Sequence, residues 1–172
     1  MSEQKNNLQI EDEINEKLTG DLQKNALKFV NFLKTNEMTV DAVHSSVFRY
    51  HGEAVCVVVL HPNYDDSLGW NVYLGDYDST ICSSDYEGFP IDEQLKEFAW
   101  EYKHTCGHFL SNGEACGCGN QPGKSFKILG KEFDNICTSL MWFGNADGET
   151  LEKLMKLVEA WKCCIDDKQC HR

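Results

Sequence analysis

"VHSSVFRYHGEAVCVVVL", Val43 to Leu60, is the stretch that decides the fold. Val43–Tyr50 and Glu53–Leu60 are rich in β-branched and aromatic residues. His51-Gly52 between them reads as a two-residue hairpin turn, with glycine supplying the positive φ. The second arm, "AVCVVVL" (Ala54 to Leu60), is apolar at successive positions, which predicts a strand in the sheet centre with both faces covered.

Working outward, "LGWNVYLG" (Leu68 to Gly75) alternates Leu68, Trp70, Val72 and Leu74 on one face, the pattern of a half-buried strand. Thr80 to Ser83 is expected to add a short fourth strand. Before the hairpin, Asp21–Asn36 places Leu22, Ala26, Phe29, Val30 and Leu33 on one helical face, with Asp21 positioned to cap it. Pro90–His104 reads as a second helix, with Leu95, Phe98, Ala99 and Tyr102 sharing a face and Asp92 at the capping position. Ser125–Phe133 is a strand or extended segment. From Asp147, Leu151, Leu154, Met155, Val158 and Trp161 mark an amphipathic last helix. In the first twenty residues Leu8, Ile10, Ile14 and Leu18 are too sparse to predict a docked helix. The expectation is therefore a polar flexible arm (1–20), one α+β domain (21–165) and a tail (166–172). Within the domain an antiparallel β-meander packs with an N-terminal helix and C-terminal helices and carries a Cys-rich loop.

Composition narrows the function classes. The net charge of −12 argues against nucleic acid or an anionic membrane as partner, because the phosphate field repels it. "AVCVVVL" is too short to span a bilayer, and "MSEQKNNLQIEDEINEK" has neither the basic start nor the apolar run of a secretory signal. A cytoplasmic location is expected, where nine cysteines, an odd count, read as thiols, metal ligands or core residues rather than as a disulfide framework.

The chemistry concentrates in "CGHFLSNGEACGCGNQPGKS", Cys106 to Ser125. From His104 to Cys137 the acids Glu114, Glu132 and Asp134 are balanced by Lys124, Lys127 and Lys131, so this is the least acidic region of the chain. Gly123-Lys124-Ser125 resembles the end of a phosphate-binding loop, but Cys118 stands where the first glycine belongs and no strand precedes it. A thiolate site for zinc fits better. Cys116 and Cys118 sit among glycines that let the backbone fold tightly, Cys106 can loop back, and Cys137 supplies a fourth donor, with His104 or His108 as alternative ligands. Asp134 and Asn135 are placed to hydrogen-bond the loop from beneath. Dithiol exchange is disfavoured, since Cys116-Gly-Cys118 lacks the two-residue spacing and the helix start that lower a thiol pKa.

Elsewhere the plain readings prevail. Cys56 and Cys82 are expected as core thiols, and Cys163, Cys164, Cys170 and His171 as part of a mobile terminal tail, with a second metal site, or completion of the first, as the lesser alternative. Asp65-Asp66 and Asp166-Asp167 read as solvated charge, and His44, His51 and His61 as strand-flanking residues without spaced partners. Phe48, Tyr50, Trp70, Tyr73, Trp100, Trp142 and Trp161 are numerous enough to line a small-ligand pocket, or simply to form core.

"GKSFKILGKEFDNIC", "FGNADGETLEKLMKLVE", "NALKFVNFLK" and "YHGEAVCVVVLH" resemble a family of small bacterial proteins with a Cys cluster followed by Gly-Lys and a Gly-Lys-Glu-Phe-Asp-Asn motif. The resemblance implies a fold unit and no activity, and in that family the cysteines stand closer together than Cys106 and Cys116. The meander-and-helices plan also resembles small YjbR-like or YdhG-like domains. The reading is a non-catalytic binding protein with a structural zinc or thiol cluster, meeting a protein or small-molecule partner. The alternatives are a thiol-based redox sensor or enzyme using Cys106, Cys116 or Cys118, and a small-molecule sensor with an aromatic pocket.

Overall fold

The computed structural model describes residues 3–40, 47–62, 68–75, 89–105 and 124–170. Its helices are α1 (Glu3–Lys17), α2 (Gly20–Thr35), α3 (Glu93–Glu101) and α4 (Gly148–Cys170). Its strands are β1 (Thr39–Val40), β2 (Val47–Tyr50), β3 (Glu53–Pro62), β4 (Leu68–Leu74), β5 (Lys103–Thr105), β6 (Lys124–Ile128) and β7 (Lys131–Gly144). The described strands form one antiparallel sheet in the order β1-β2-β3-β4-β7-β5, with β6 also on β7. This is the α+β meander that the sequence predicts.

The hairpin closes at His51 and Gly52, with φ of 48° and 85°, and β3 lies between β2 and β4 as its apolar run requires. Cys56 and Val58 are buried at 1% and 0% exposure on one face, while Val57 and Val59 on the opposite face are half-buried. The expected cover on both faces is therefore complete on one face only among the described residues. The same division runs through β4. Trp70, Val72 and Leu74 are wholly buried on the helix-covered face, where Trp70 meets Phe29 of α2 at 5.8 Å between ring centroids. Ala26, Phe29, Val30 and Leu33 of α2 and Leu151, Leu154, Leu157, Val158 and Trp161 of α4 complete that core. Each large apolar side chain buried there contributes roughly 1.5–3 kcal/mol against the entropy of ordering the chain.

Four expectations change. The polar arm is helix α1, with Ile10, Ile14 and Leu18 buried at 4%, 0% and 2% exposure. Their four-residue spacing makes one stripe, and contact with α2 and β1 supplies the stability that so few apolar residues cannot supply alone. Thr19 holds the N-cap position of α2 without a side-chain capping bond, while Asp21 lies in the first turn, where its charge suits the helix dipole. The second helix stops at Glu101. Lys103–Thr105 then forms β5, because β7 offers a free edge there and Trp142 N donates to Tyr102 O at 2.8 Å. The expected tail continues α4 to Cys170. The expected strand at 80–83 lies outside the described residues.

Candidate functional site

β7 is the platform of the candidate site. It is built by a hairpin whose turn, Leu129-Gly130 at φ 48° and 84°, returns β6 onto β7. Its fourteen-residue length lets three strands pair with it: β4 at its C-terminal end, β5 in the middle and β6 at the start. Thr105 of β5 and Lys124 of β6 both pair with Ile136. These are the last described residue before the cysteine loop and the first one after it. Both feet of the loop therefore stand on one residue, about 10 Å apart at ordinary strand spacing. Cys137 is the next residue along β7, and His104 and Cys106 flank Thr105 in the chain.

Cys106, Cys116, Cys118 and His108 lie outside the described residues, as does the side chain of Cys137. Among the described residues no group of three or more His, Cys, Asp or Glu side chains is placed to hold a metal ion. Asp134 accepts a hydrogen bond from Ser125 Oγ at 2.5 Å, tying β6 to β7 where the loop returns. Asn135 takes φ 60°, a left-handed conformation that asparagine tolerates, one residue before Ile136.

The open face of the sheet beside these feet carries an aromatic row. Tyr73 of β4 pairs across with Trp142 of β7, and the His104 ring lies 6.3 Å from Tyr73 and 5.8 Å from Trp142. Burial holds the imidazole below its ordinary pKa. At 37%, Trp142 is the one large hydrophobic residue exposed among those described. It is fixed from below, since its Nε1 donates to Asn71 Oδ1 at 3.0 Å and Asn71 is itself 7% exposed. Gly144, opposite Asn71, leaves room for that amide, because a Cβ there would lie 3.0 Å from Asn71 Oδ1. Nearby, Lys131 Nζ sits 4.8 Å above Trp100 and 5.2 Å above Phe133, fastening the β6–β7 turn to α3. The seven aromatics proposed for one pocket thus divide. Phe48, Trp70 and Trp161 are wholly buried, while Tyr73 and Trp142 stand on the opposite face.

A second polar cluster joins the end of α4 to the β2–β3 turn. The Tyr50 hydroxyl donates to Asp166, and burial, then that bond, push its pKa up to about 12. His51 Nε2 lies 3.7 Å from Asp166, while Lys162 sits 4.8 Å above the Tyr50 ring and 3.6 Å from Glu37. Asp166, expected as solvated charge, and His51, expected without a spaced partner, thus meet in space, a pairing that sequence distance hides. Cys163 is a free, exposed thiol and borders a 330 Å³ groove with Ile91, Asp92, Leu95, Lys156 and Glu159. Cys164 is wholly buried and disulfide-bonded, so it is neither a free thiol nor a ligand of a terminal metal cluster. Adjacent helical residues point about 100° apart, so Cys163 and Cys164 do not converge on one ion. Cys56 is a free, buried core thiol, and desolvation drives its pKa upward.

No family model, curated protein or solved structure matches the chain.

Proposed function

We propose that the chain is a non-catalytic binding protein. Its cysteine loop is drawn onto its base by thiolate-bound zinc, and the loop with the Trp142 face forms the surface that meets a protein or small-molecule partner. The observation that carries this reading is the pairing of both loop feet with Ile136, one residue from Cys137. A loop already closed at its base has lost much of the entropy that a further tie would cost. Donors then need only converge within the loop, where glycines allow tight turns. Cys106, Cys116, Cys118 and Cys137 are the proposed ligands, with His104 and His108 as the alternatives. Lys124, Lys127 and Lys131 offset the negative charge of such a site.

The test is metal content per chain, by plasma mass spectrometry, on protein purified without an affinity metal column. About one zinc per chain is expected, lost in the Cys116→Ser/Cys118→Ser variant. Metal-free, folded protein refutes the zinc reading. Asp134 holds Ser125 at the loop's return, so Asp134→Ala should release zinc to a chelator faster than Asp166→Ala does. Equal release would remove Asp134 from the site.

A further inference from the structure

Several rings of this chain carry a lysine above them. Lys131 stands over Trp100 and Phe133, Lys103 over Phe133 at 5.4 Å, Lys153 over Phe98 at 4.9 Å and Lys162 over Tyr50 at 4.8 Å. Trp142 is more exposed than any of these rings, and among the described residues no cation stands over it. Two further rings accompany it on the open face of the sheet. His104 lies 5.8 Å from Trp142 with 42° between their planes, and 6.3 Å from Tyr73 with 48°. Tyr73 is the cross-strand partner of Trp142. With rings this close, one cation set among them can stand within about 6 Å of all three, the range over which a ring quadrupole attracts it.

We propose that the Trp142, His104 and Tyr73 rings bind the guanidinium of an arginine carried by a basic partner protein. The inference rests on the reading of the Trp142 face as the partner surface, and it does not depend on zinc in the loop. It uses His104 as a ring, which leaves the four cysteines as the metal donors.

Charge and patch size select this occupant over the others. With 16 Lys and Arg against 28 Asp and Glu, the chain's net charge of −12 draws cations in and opposes a second copy of itself. Val57, beside Tyr73, and the next row of Val59 and Asn71 carry no charge that would repel an arriving cation. An apolar partner needs a broad patch, whereas Trp142 is the one large hydrophobic residue exposed among those described. Guanidinium suits a ring surface better than ammonium, because it is planar, weakly hydrated and stacks. The Trp142 ring is already pinned through its Nε1 to Asn71 Oδ1 at 3.0 Å, so little side-chain freedom is lost when the partner lands.

The test titrates the intact, isotope-labelled chain with a capped Gly-Arg-Gly-Arg-Gly peptide, its citrulline counterpart and its leucine counterpart, following the indole N–H signals by NMR. The Trp142 signal should shift and saturate with the arginine peptide. Citrulline keeps the planar shape and loses the charge, so its peptide should bind about tenfold more weakly. Two variants are compared by anisotropy of dye-tagged arginine peptide. Trp142→Phe keeps a ring and should bind within about threefold of the parent, whereas Trp142→Leu keeps only apolar bulk and should lose about tenfold. Neither variant alters the net charge, so general attraction to an acidic chain cannot separate them. Equal binding of arginine and citrulline peptides overturns the proposal, as does undiminished binding by Trp142→Leu. Tighter binding of the leucine peptide overturns it in favour of an apolar partner, and self-association that Trp142→Leu abolishes overturns it in favour of a second copy. Zinc per chain is measured on the same samples and should be equal in parent and variants. Absence of zinc with arginine selectivity intact defeats the zinc reading alone, and loss of that selectivity at full zinc defeats the arginine site alone.

Discussion

Replacing Gly144 with alanine tests whether the Trp142 platform is built as a unit. The new Cβ would stand 3.0 Å from Asn71 Oδ1 and 3.9 Å from Trp142 Cζ2, so the amide must shift by a few tenths of an ångström. It cannot shift freely, because the same oxygen accepts from Trp142 Nε1 at 3.0 Å and the side chain is buried. Overpacking of this kind costs about 1–3 kcal/mol; the lower half applies, since Gly144 itself is exposed. Asn71→Ala alone should cost about 1 kcal/mol, the net worth of one hydrogen bond. The double variant has no amide for the Cβ to strike, so its cost should fall short of the sum by about 0.5–1 kcal/mol. Urea unfolding of the four proteins gives this coupling directly. Strict additivity would refute the argument, showing that Gly144 and Asn71 do not share the space under Trp142.

Ile14→Ala should destabilise the fold by about 2–4 kcal/mol in urea melts, because the side chain is fully buried; a loss below 0.5 kcal/mol would return α1 to an undocked arm. Tyr50 has a pKa raised in the folded state to about 12 from 10.0. Its contribution is therefore complete below pH 10 and lost as pH rises from 10 toward 12, where the unfolded chain ionises first. Tyr50→Phe should flatten the fall of stability across that window, and an unchanged alkaline limb would count against the buried, Asp166-bonded hydroxyl. Lys131→Ala should cost about 0.5–1 kcal/mol through its two ring contacts. Lys24→Ala, at an exposed position of α2, should change stability by less, and equal losses would deny the stacking.

What could be read from the sequence was local. The hairpin at His51-Gly52, the alternation of Leu68 to Leu74 and the helical stripe of Leu151 to Trp161 all follow from periods of two or 3.6 and from a turn glycine. Asp92 was identifiable as a cap because the capping bond, to Leu95 N at 2.8 Å, spans three residues. What failed was whatever a distant partner decides. Ile10, Ile14 and Leu18 keep helical spacing, but only the bodies of α2 and β1 make so thin a stripe worth burying. Lys103–Thr105 continues a helical pattern in the sequence and becomes strand because β7 has an edge to fill. In the candidate site, the residue types around Cys106–Cys118 were visible, whereas the common footing on Ile136 depends on two registers that no spacing encodes.

That footing also explains why the aromatic face and the loop belong to one functional question. β7 supplies both: Ile136 anchors the loop, and six residues later Trp142 stands exposed on the open face. His104 links them, one residue before the loop's foot at Thr105 and within ring contact of Trp142. A change in the loop's footing reaches His104 through a single peptide unit, and from there it reaches the Trp142 ring. Trp142 in turn is held from the other side by Asn71, with no slack beneath it. On the proposed zinc reading, a path of one strand and one hydrogen bond predicts that Trp142 fluorescence registers metal loading of the loop. Loading that leaves this emission unchanged, against a Trp142→Phe reference, would mean that the two act as separate surfaces.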